Sequence, residues 1–433
     1  MRPDRTLFGV CVLTGCWLLF GPTLPKAQAQ KKNAQVRIAG VYGALLTPAA
    51  KGQWTSLAAN GDLPPDQLLI ALFGAEFQTS SGGVLARVVA DIGQRGPFPV
   101  LEAAFRFHQP KKADLDITLE RGILILTNTK KKGPAHIRLR LRAETFDLTL
   151  SQPKARLGIE VYGRHLPGPP KLSSLKADDP IANIAIFALA GESVISTSTE
   201  TSRLQAPPGP ALFIWNNVTS SAEVVRFEAL PDFATPMNAT ERKQFEAIAA
   251  LAKTWAAKPG GLGNAVNTAT TSRDALERRA SVVALGALDD LPGLLRVLNN
   301  KDHADTRDLA IVVIRHWLGR EAGQSIRMYD YVTKAENATA IQAKNLLYLF
   351  NGIEAEKRRQ PETYELLIQA LDHGKIAARE LARWHLVRLA PAGRSIPYDA
   401  AGTDAERQAG IAAWRRLIPA GQLPPSPKGK SSN

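Results

Sequence analysis

Residues Ala113 to Arg164 read ADLDITLERGILILTNTKKKGPAHIRLRLRAETFDLTLSQPKARLGIEVYGR, and this stretch decides the fold class of the first half of the chain. Leu115, Ile117 and Leu119 alternate with Asp114, Asp116, Thr118 and Glu120, the two-residue period of a strand with one buried face. Arg121-Gly122 reads as a turn. Ile123-Leu124-Ile125-Leu126 is apolar on both faces and predicts an interior strand. Asn128 to Pro134 is a lysine-rich loop holding Lys130, Lys131 and Lys132. Beyond it Ile137, Leu139 and Leu141 face in while Arg138, Arg140 and Arg142 face out. Phe146, Leu148 and Leu150 form the next inward set, so the phase slips by one residue at Ala143-Glu144, the mark of a bulge or corner. Leu157, Ile159 and Val161 make a further strand. Short strands joined by tight turns predict an antiparallel β sandwich or barrel-like domain.

Outward from this centre the β pattern runs from Val36 to Phe233. Asn60-Gly61 is a turn signal. Glu76 to Thr79 and Val84 to Val89 face each other across Ser80-Ser81-Gly82-Gly83 as a hairpin. Ala211 to Trp215 is the last apolar run. The segments Trp54 to Leu63, Phe77 to Val88 and Leu119 to Leu126 together resemble the FecR-type domain. That resemblance implies an extracytoplasmic β domain that senses or relays a signal, in its best-known members to a sigma factor. Signalling members carry a cytoplasmic segment and a full membrane span before the domain. Here only Met1 to Thr6 precede the first apolar run, so the resemblance implies a bare extracytoplasmic module.

The first 29 residues read as an export signal: Arg2 and Arg5, the apolar run Leu7 to Phe20, Gly21-Pro22, then Ala27-Gln28-Ala29 as a small-x-small cleavage site. The apolar run is short for a membrane span. Leu13-Thr14-Gly15-Cys16 also matches a lipobox, in which Cys16 would be lipidated. Cys11 and Cys16 are the two cysteines of the chain, and both lie in this segment. Cleavage after Ala29 leaves no thiol, which excludes disulfides and cysteine-based metal or redox sites. A net charge of +14 predisposes an exported protein to anionic envelope polymers and membrane surfaces.

Toward the C-terminus the period becomes helical. Thr240 is placed to cap a helix over Glu241 to Ala257, with Phe245, Ile248, Leu251, Ala252 and Trp255 on one face. Lys258-Pro-Gly-Gly-Leu-Gly263 reads as a flexible hinge, closing a helix-plus-linker segment over 234–272. Residues 273–420 predict a helical domain, centred on the run from Leu309 to Leu318. Thr403 to Glu406 is a capping box. Leu294 to Leu298 followed by Arg307-Asp-Leu-Ala310 parallels Leu367 to Leu371 followed by Arg379-Glu-Leu-Ala382. This pairing resembles HEAT-type repeats, in which each hairpin buries its apolar stripe against the next; an ordinary bundle is the alternative. Residues 421–433 read as a disordered tail.

Catalytic signatures are sparse. Asp114 and Asp116 share a strand face as a pair of carboxylates, but the carboxylate pairs of glycosidases come from different strands, so a solvated outer face is expected. The seven histidines include no His-Glu-x-x-His, and His316 and His385 read as satisfied core histidines. Gly191-Glu-Ser193-Val-Ile lacks the last glycine of a nucleophile elbow. Gly260 to Gly263 lacks the lysine of a phosphate loop. The candidate site is the basic row of Lys130, Lys131, Lys132, Arg138, Arg140 and Arg142, whose alternate residues stand about 6.8 Å apart along a strand. It lacks interleaved aromatics, which disfavours single-stranded nucleic acid. The reading is an exported, non-enzymatic envelope-binding or scaffolding protein without a cofactor. Its β domain meets an anionic or carbohydrate ligand and its helical domain meets protein. A FecR-like sensor and an unrecognised hydrolase are the alternatives.

Overall fold

Leu115 to Asn128 is one continuous fourteen-residue strand, not two strands about a turn, in the computed structural model of the protein. The structure describes residues 36–41, 45–48, 54–57, 65–72, 75–79, 81–89, 102–110, 112–226, 230, 232–234, 238–258 and 260–425. The export signal, the Asn60-Gly61 turn and residues 426–433 of the tail lie outside them. Strands β1 (Val36–Val41), β2 (Leu45–Pro48), β3 (Trp54–Ser56), β4 (Leu69–Ala71), β5 (Ala75–Thr79), β6 (Val84–Val89), β7 (Ala103–Phe107) and β8 (Leu115–Asn128) come first. They are followed by β9 (Ala135–Leu141), β10 (Glu144–Leu150), β11 (Arg156–Arg164), β12 (Ile181–Ala190), β13 (Glu192–Ser196), β14 (Thr201–Gln205), β15 (Pro210–Asn216) and β16 (Ala222–Arg226).

β8 belongs to two sheets. Its first half pairs with β7 and β9, in a sheet ordered β3-β2-β4-β7-β8-β9-β10-β13-β14. Its second half pairs with β6 and β11, in a sheet ordered β1-β5-β6-β8-β11-β12-β15-β16. The transfer happens at Gly122. Its φ is +123°, and a Cβ there would stand 2.4 Å from the Ala103 Cβ, so glycine alone permits the bend. Arg121-Gly122 therefore bends the strand rather than reversing it. The phase slip near Ala143 has a different cause from the bulge the sequence implies. Leu141 pairs with Glu144, leaving Arg142-Ala143 as a two-residue hairpin turn with Arg142 at φ +54°. Among the described strands the pairings are antiparallel except β8 with β9, which is parallel.

The inward rows of both sheets meet in one apolar cluster that includes Phe77, Phe105, Phe107, Leu119, Leu139, Leu148, Ile159 and Ile186. Phe77 and Phe107 pack edge to face with centroids 4.8 Å apart. The hairpin of β5 and β6 forms as the sequence predicts, with Phe77 opposite Ala86. Ile123 to Leu126 is buried on both faces. The outer side of Ile125 meets Phe187, Leu189 and Leu212, covered by Leu230 and Phe233.

The helices are α1 (Ala239–Ala257), α2 (Gly261–Ala269), α3 (Ala275–Ala287), α4 (Leu291–Leu298), α5 (Ala304–Leu318), α6 (Gln324–Lys334), α7 (Ala340–Asn351), α8 (Pro361–Ala370), α9 (Ile376–Leu389) and α10 (Asp404–Leu417). Thr240 lies inside α1 rather than capping it. The glycine run is no open hinge: Gly260 and Gly261 take left-handed φ values of +88° and +85°, and α2 begins at once, with Leu262 buried. The described residues, strands and helices together, belong to a single compact unit. Leu46, Ile70, Leu72 and Ala104 pack into the same apolar cluster as α3 and α5. Gly163 of β11 and Gly319 after α5 touch backbone to backbone, since a Cβ on Gly163 would stand 1.8 Å from the Gly319 carbonyl oxygen. Among the described residues no helix is long and apolar enough to cross a membrane.

The Arg-x-x-Ala likeness extends further than the two copies legible in the sequence. Arg278, Arg307, Arg379 and Arg407 are each the fourth residue of their helix, α3, α5, α9 and α10. Each Nη1 donates to a carbonyl of the preceding loop: Ser272 at 2.8 Å, Asn300 at 2.8 Å, His373 at 2.6 Å and Gly402 at 2.7 Å. Three residues on, Ser281, Ala310, Ala382 and Gly410 are all buried and small, which lets the next element close in. Arg307 also donates to Glu380 of α9 at 2.7 Å, and Arg278 to Asp305 of α5 at 3.1 Å, tying successive second helices together.

Candidate functional site

The basic row lies where the sequence places it, but its arginines are not free. Arg138 Nε donates to Asp147 Oδ1 at 2.9 Å across the β9–β10 pair. Arg140 grips Asp116 with two bonds of 2.8 Å. Arg142 sits in the hairpin turn, off the strand, and donates to Asp179 at 2.7 Å. Hydrogen bonds to Asp147 and Asp116 hold the Arg138 and Arg140 guanidinium groups above their ordinary value. Lys130 turns inward, its Nζ donating to Asp114 at 2.7 Å and to the Pro134 carbonyl at 2.9 Å. Lys131 and Lys132 are exposed and form no ion pair among the described residues. Asp114 and Asp116 are not a solvated face: their side chains are 15% and 6% exposed, each consumed by a cation.

A groove of about 480 Å³ runs along this outward face, lined by Lys112, Ala113, Asp116, His136, Ile137, Arg138, Asp147, Leu148 and Thr149. His136 Nδ1 lies 3.2 Å from the Thr149 hydroxyl across the strand pair. The wall therefore alternates cation, carboxylate, imidazole and hydroxyl, and its charges largely cancel. Lys112 is exposed and without an ion pair among the described residues. The Asp114 carboxylate accepts from both Lys130 and the His136 backbone N–H, so the 112–114 segment and the lysine loop are pinned at the same end of the groove.

Two buried constellations lay outside the reach of sequence reading. At the seam between strands and helices, Glu102 accepts from Arg121 at 2.7 Å and from Arg320. His316 Nδ1 stands 3.7 Å from its other oxygen and has no hydrogen-bond partner, so His316 is not the satisfied core histidine the sequence implied. Burial alone would raise the Glu102 carboxyl; Arg320, His316 and Arg121 override it and hold it at about 2. Burial pushes His316 down to about 4. A lone acid between Val100-Leu101 and Ala103-Ala104-Phe105 is the signal that marks Glu102 in the sequence. His385 does behave as expected, its Nε2 donating to the Leu349 carbonyl at 2.7 Å.

The second constellation brings Ser325, His165 and Asp178 together. Ser325 Oγ and Asp178 Oδ1 lie 3.4 and 3.7 Å from the same ring nitrogen, Nε2, which donates to the Leu318 carbonyl at 3.1 Å. A serine–histidine–acid relay needs nucleophile and acid on opposite ring nitrogens, so this trio does not assemble one. Asp178 instead receives the Gly323 and Ser325 N–H groups at 3.0 Å each, closing the start of α6. Among the described residues no group of three histidine, cysteine or acidic side chains is placed to hold a metal ion. No protein-family model, curated protein or solved structure matches the chain.

Proposed function

We propose that the protein is an exported, non-enzymatic cell-envelope binding module whose β half holds a carbohydrate bearing acid groups in the groove along β9 and β10. The groove itself is the observation that carries this reading. Its Arg138–Asp147 pair, with Asp116 held from outside the lining by Arg140, offers donors and acceptors with little net charge, which suits hydroxyl groups better than a bare polyanion. Lys112, Lys131 and Lys132 supply cations for the acid groups. Export is drawn from the first 29 residues.

The same proposal covers the finer architecture. A sandwich of two sheets sharing β8 is supported by the single apolar cluster to which both contribute. A FecR-like identity for the β half draws on the β5–β6 hairpin and the Leu119–Leu126 strand. A HEAT-like stack for the helical half draws on the four recurring arginines. Such stacks present extended surfaces to proteins, which is the role we assign to α2–α10. The test is retention of the purified protein on acidic and on neutral envelope polysaccharides, with Lys112→Glu/Arg138→Glu beside wild type. Retention on the acidic glycan that is lost in the variant and weakened by salt supports the reading. Equal retention of both proteins would overturn it.

A further inference from the structure

On the helical half, far along the chain from the groove, two guanidinium groups meet at one indole ring, and neither forms an ion pair among the described residues. Arg315 of α5 lies with its guanidinium carbon 4.9 Å from the centre of the Trp384 ring, and Arg388, one turn beyond Trp384 on α9, lies 3.6 Å from it. Arg358, in the turn between α7 and α8, donates its Nε–H to the Ile353 carbonyl at 2.7 Å. Among the described residues none of Arg315, Arg358 and Arg388 forms an ion pair. Elsewhere in this half the inward arginines Arg278, Arg307 and Arg320 each hold a carboxylate.

All three cations act on one imidazole. His385, next to Trp384, is held at about 4, by burial first and then by Arg315, Arg388 and Arg358 against the pull of its bond to Leu349. The Arg315 guanidinium is itself depressed to about 10 by burial and by Arg388. Helix capping accounts for part of the arrangement, because Arg315 donates to the Phe350 carbonyl and His385 to the Leu349 carbonyl at the end of α7. It does not account for Arg388, whose Nη1 donates to the Trp384 carbonyl at 3.3 Å and whose charge Asp308, already paired with Arg383, offsets only in part. Among the described residues the buried indole N–H of Trp384 has no acceptor, a further donor left unmatched at the same place.

We infer that Arg315 and Arg388 at Trp384 form a binding site for a doubly charged oxyanion of the sulfate or phosphate class. Guanidinium groups suit such an anion because their paired N–H donors match its oxygens. Arg388 is exposed, while Arg315 and Trp384 are half-buried. The site is independent of the groove on β9 and β10.

The test uses the full chain and inorganic sulfate, which stays doubly charged through the acidic range where His385 titrates. Calorimetric titration at neutral pH is run against chloride at equal ionic strength, for wild type, Arg388→Gln and, as a control on an exposed lysine of α1, Lys253→Gln. Sulfate binding should be saturable, about tenfold or more weaker in Arg388→Gln, the loss of one charge-assisted contact, and unchanged in Lys253→Gln. Bound sulfate should also raise the His385 midpoint, read from its ring resonances, in wild type and not in Arg388→Gln. Arg388 is exposed, so its substitution leaves the fold intact and the comparison interpretable. Absence of saturable binding in wild type, or equal binding and equal His385 shifts in Arg388→Gln, would overturn the inference.

Discussion

Replacing Glu102 by glutamine removes one charge from a cluster whose other members, Arg121, Arg320 and His316, are all packed at the strand–helix seam. A carboxyl held at about 2 instead of its usual 4.5 contributes about 3 kcal/mol at neutral pH, at about 1.4 kcal/mol per tenfold. Two guanidinium groups left facing an amide bring the same order of cost, about 3 to 5 kcal/mol. The sign follows from the direction of the shift. The folded value lies below the unfolded one, so the contribution is whole above pH 4.5 and is lost as pH falls through 2. His316, held at about 4 rather than 6.5, also costs stability on acidification, between pH 6.5 and 4, because the buried ring resists charging. Urea unfolding of wild type and Glu102→Gln at a series of pH values measures both. The variant should be about 3 kcal/mol less stable at pH 7, and the gap should narrow below pH 4.5. A neutral-pH difference under about 0.5 kcal/mol would refute the view that this cluster holds strands and helices together, as would a gap that widens toward acid.

Other substitutions probe other links. Gly122→Ala places a Cβ against Ala103 at a φ of +123°, and should cost about 2 kcal/mol or more in chemical unfolding, with the β signal in circular dichroism lost first. Arg307→Ala removes one of the two cations on buried Glu380, leaving Arg383, and should cost about 3 to 5 kcal/mol; Arg307→Met, equally uncharged but nearer in volume, should cost nearly as much, and a much smaller loss in Met would deny the charge its role. Thr403→Ala removes the capping-box hydroxyl of α10 and should lower stability by about 1 kcal/mol, read as faster amide exchange in that helix.

What the sequence determined by itself is the local periodicity. Alternation places Leu115, Ile117, Ile137, Leu139 and Phe146 in the core, and a helical period does the same for Ile311, Ile314 and Trp317, because burial of one face is written in spacings of two and of three to four residues. The capping box at Thr403 is equally local. The structure alone decided what lies opposite each polar residue. Arg138 and Arg140 read as an open cationic row, yet Asp147 and Asp116 neutralise them from a neighbouring strand, and Glu102 meets Arg320 across 218 residues. Arg121-Gly122 is a turn by its own chemistry. It became a bend because two sets of strands compete for the two halves of β8, and hydrogen bonding to both outweighs reversal of the chain. Charge pairing and strand sharing depend on which distant segments arrive, and no short window of sequence carries that information.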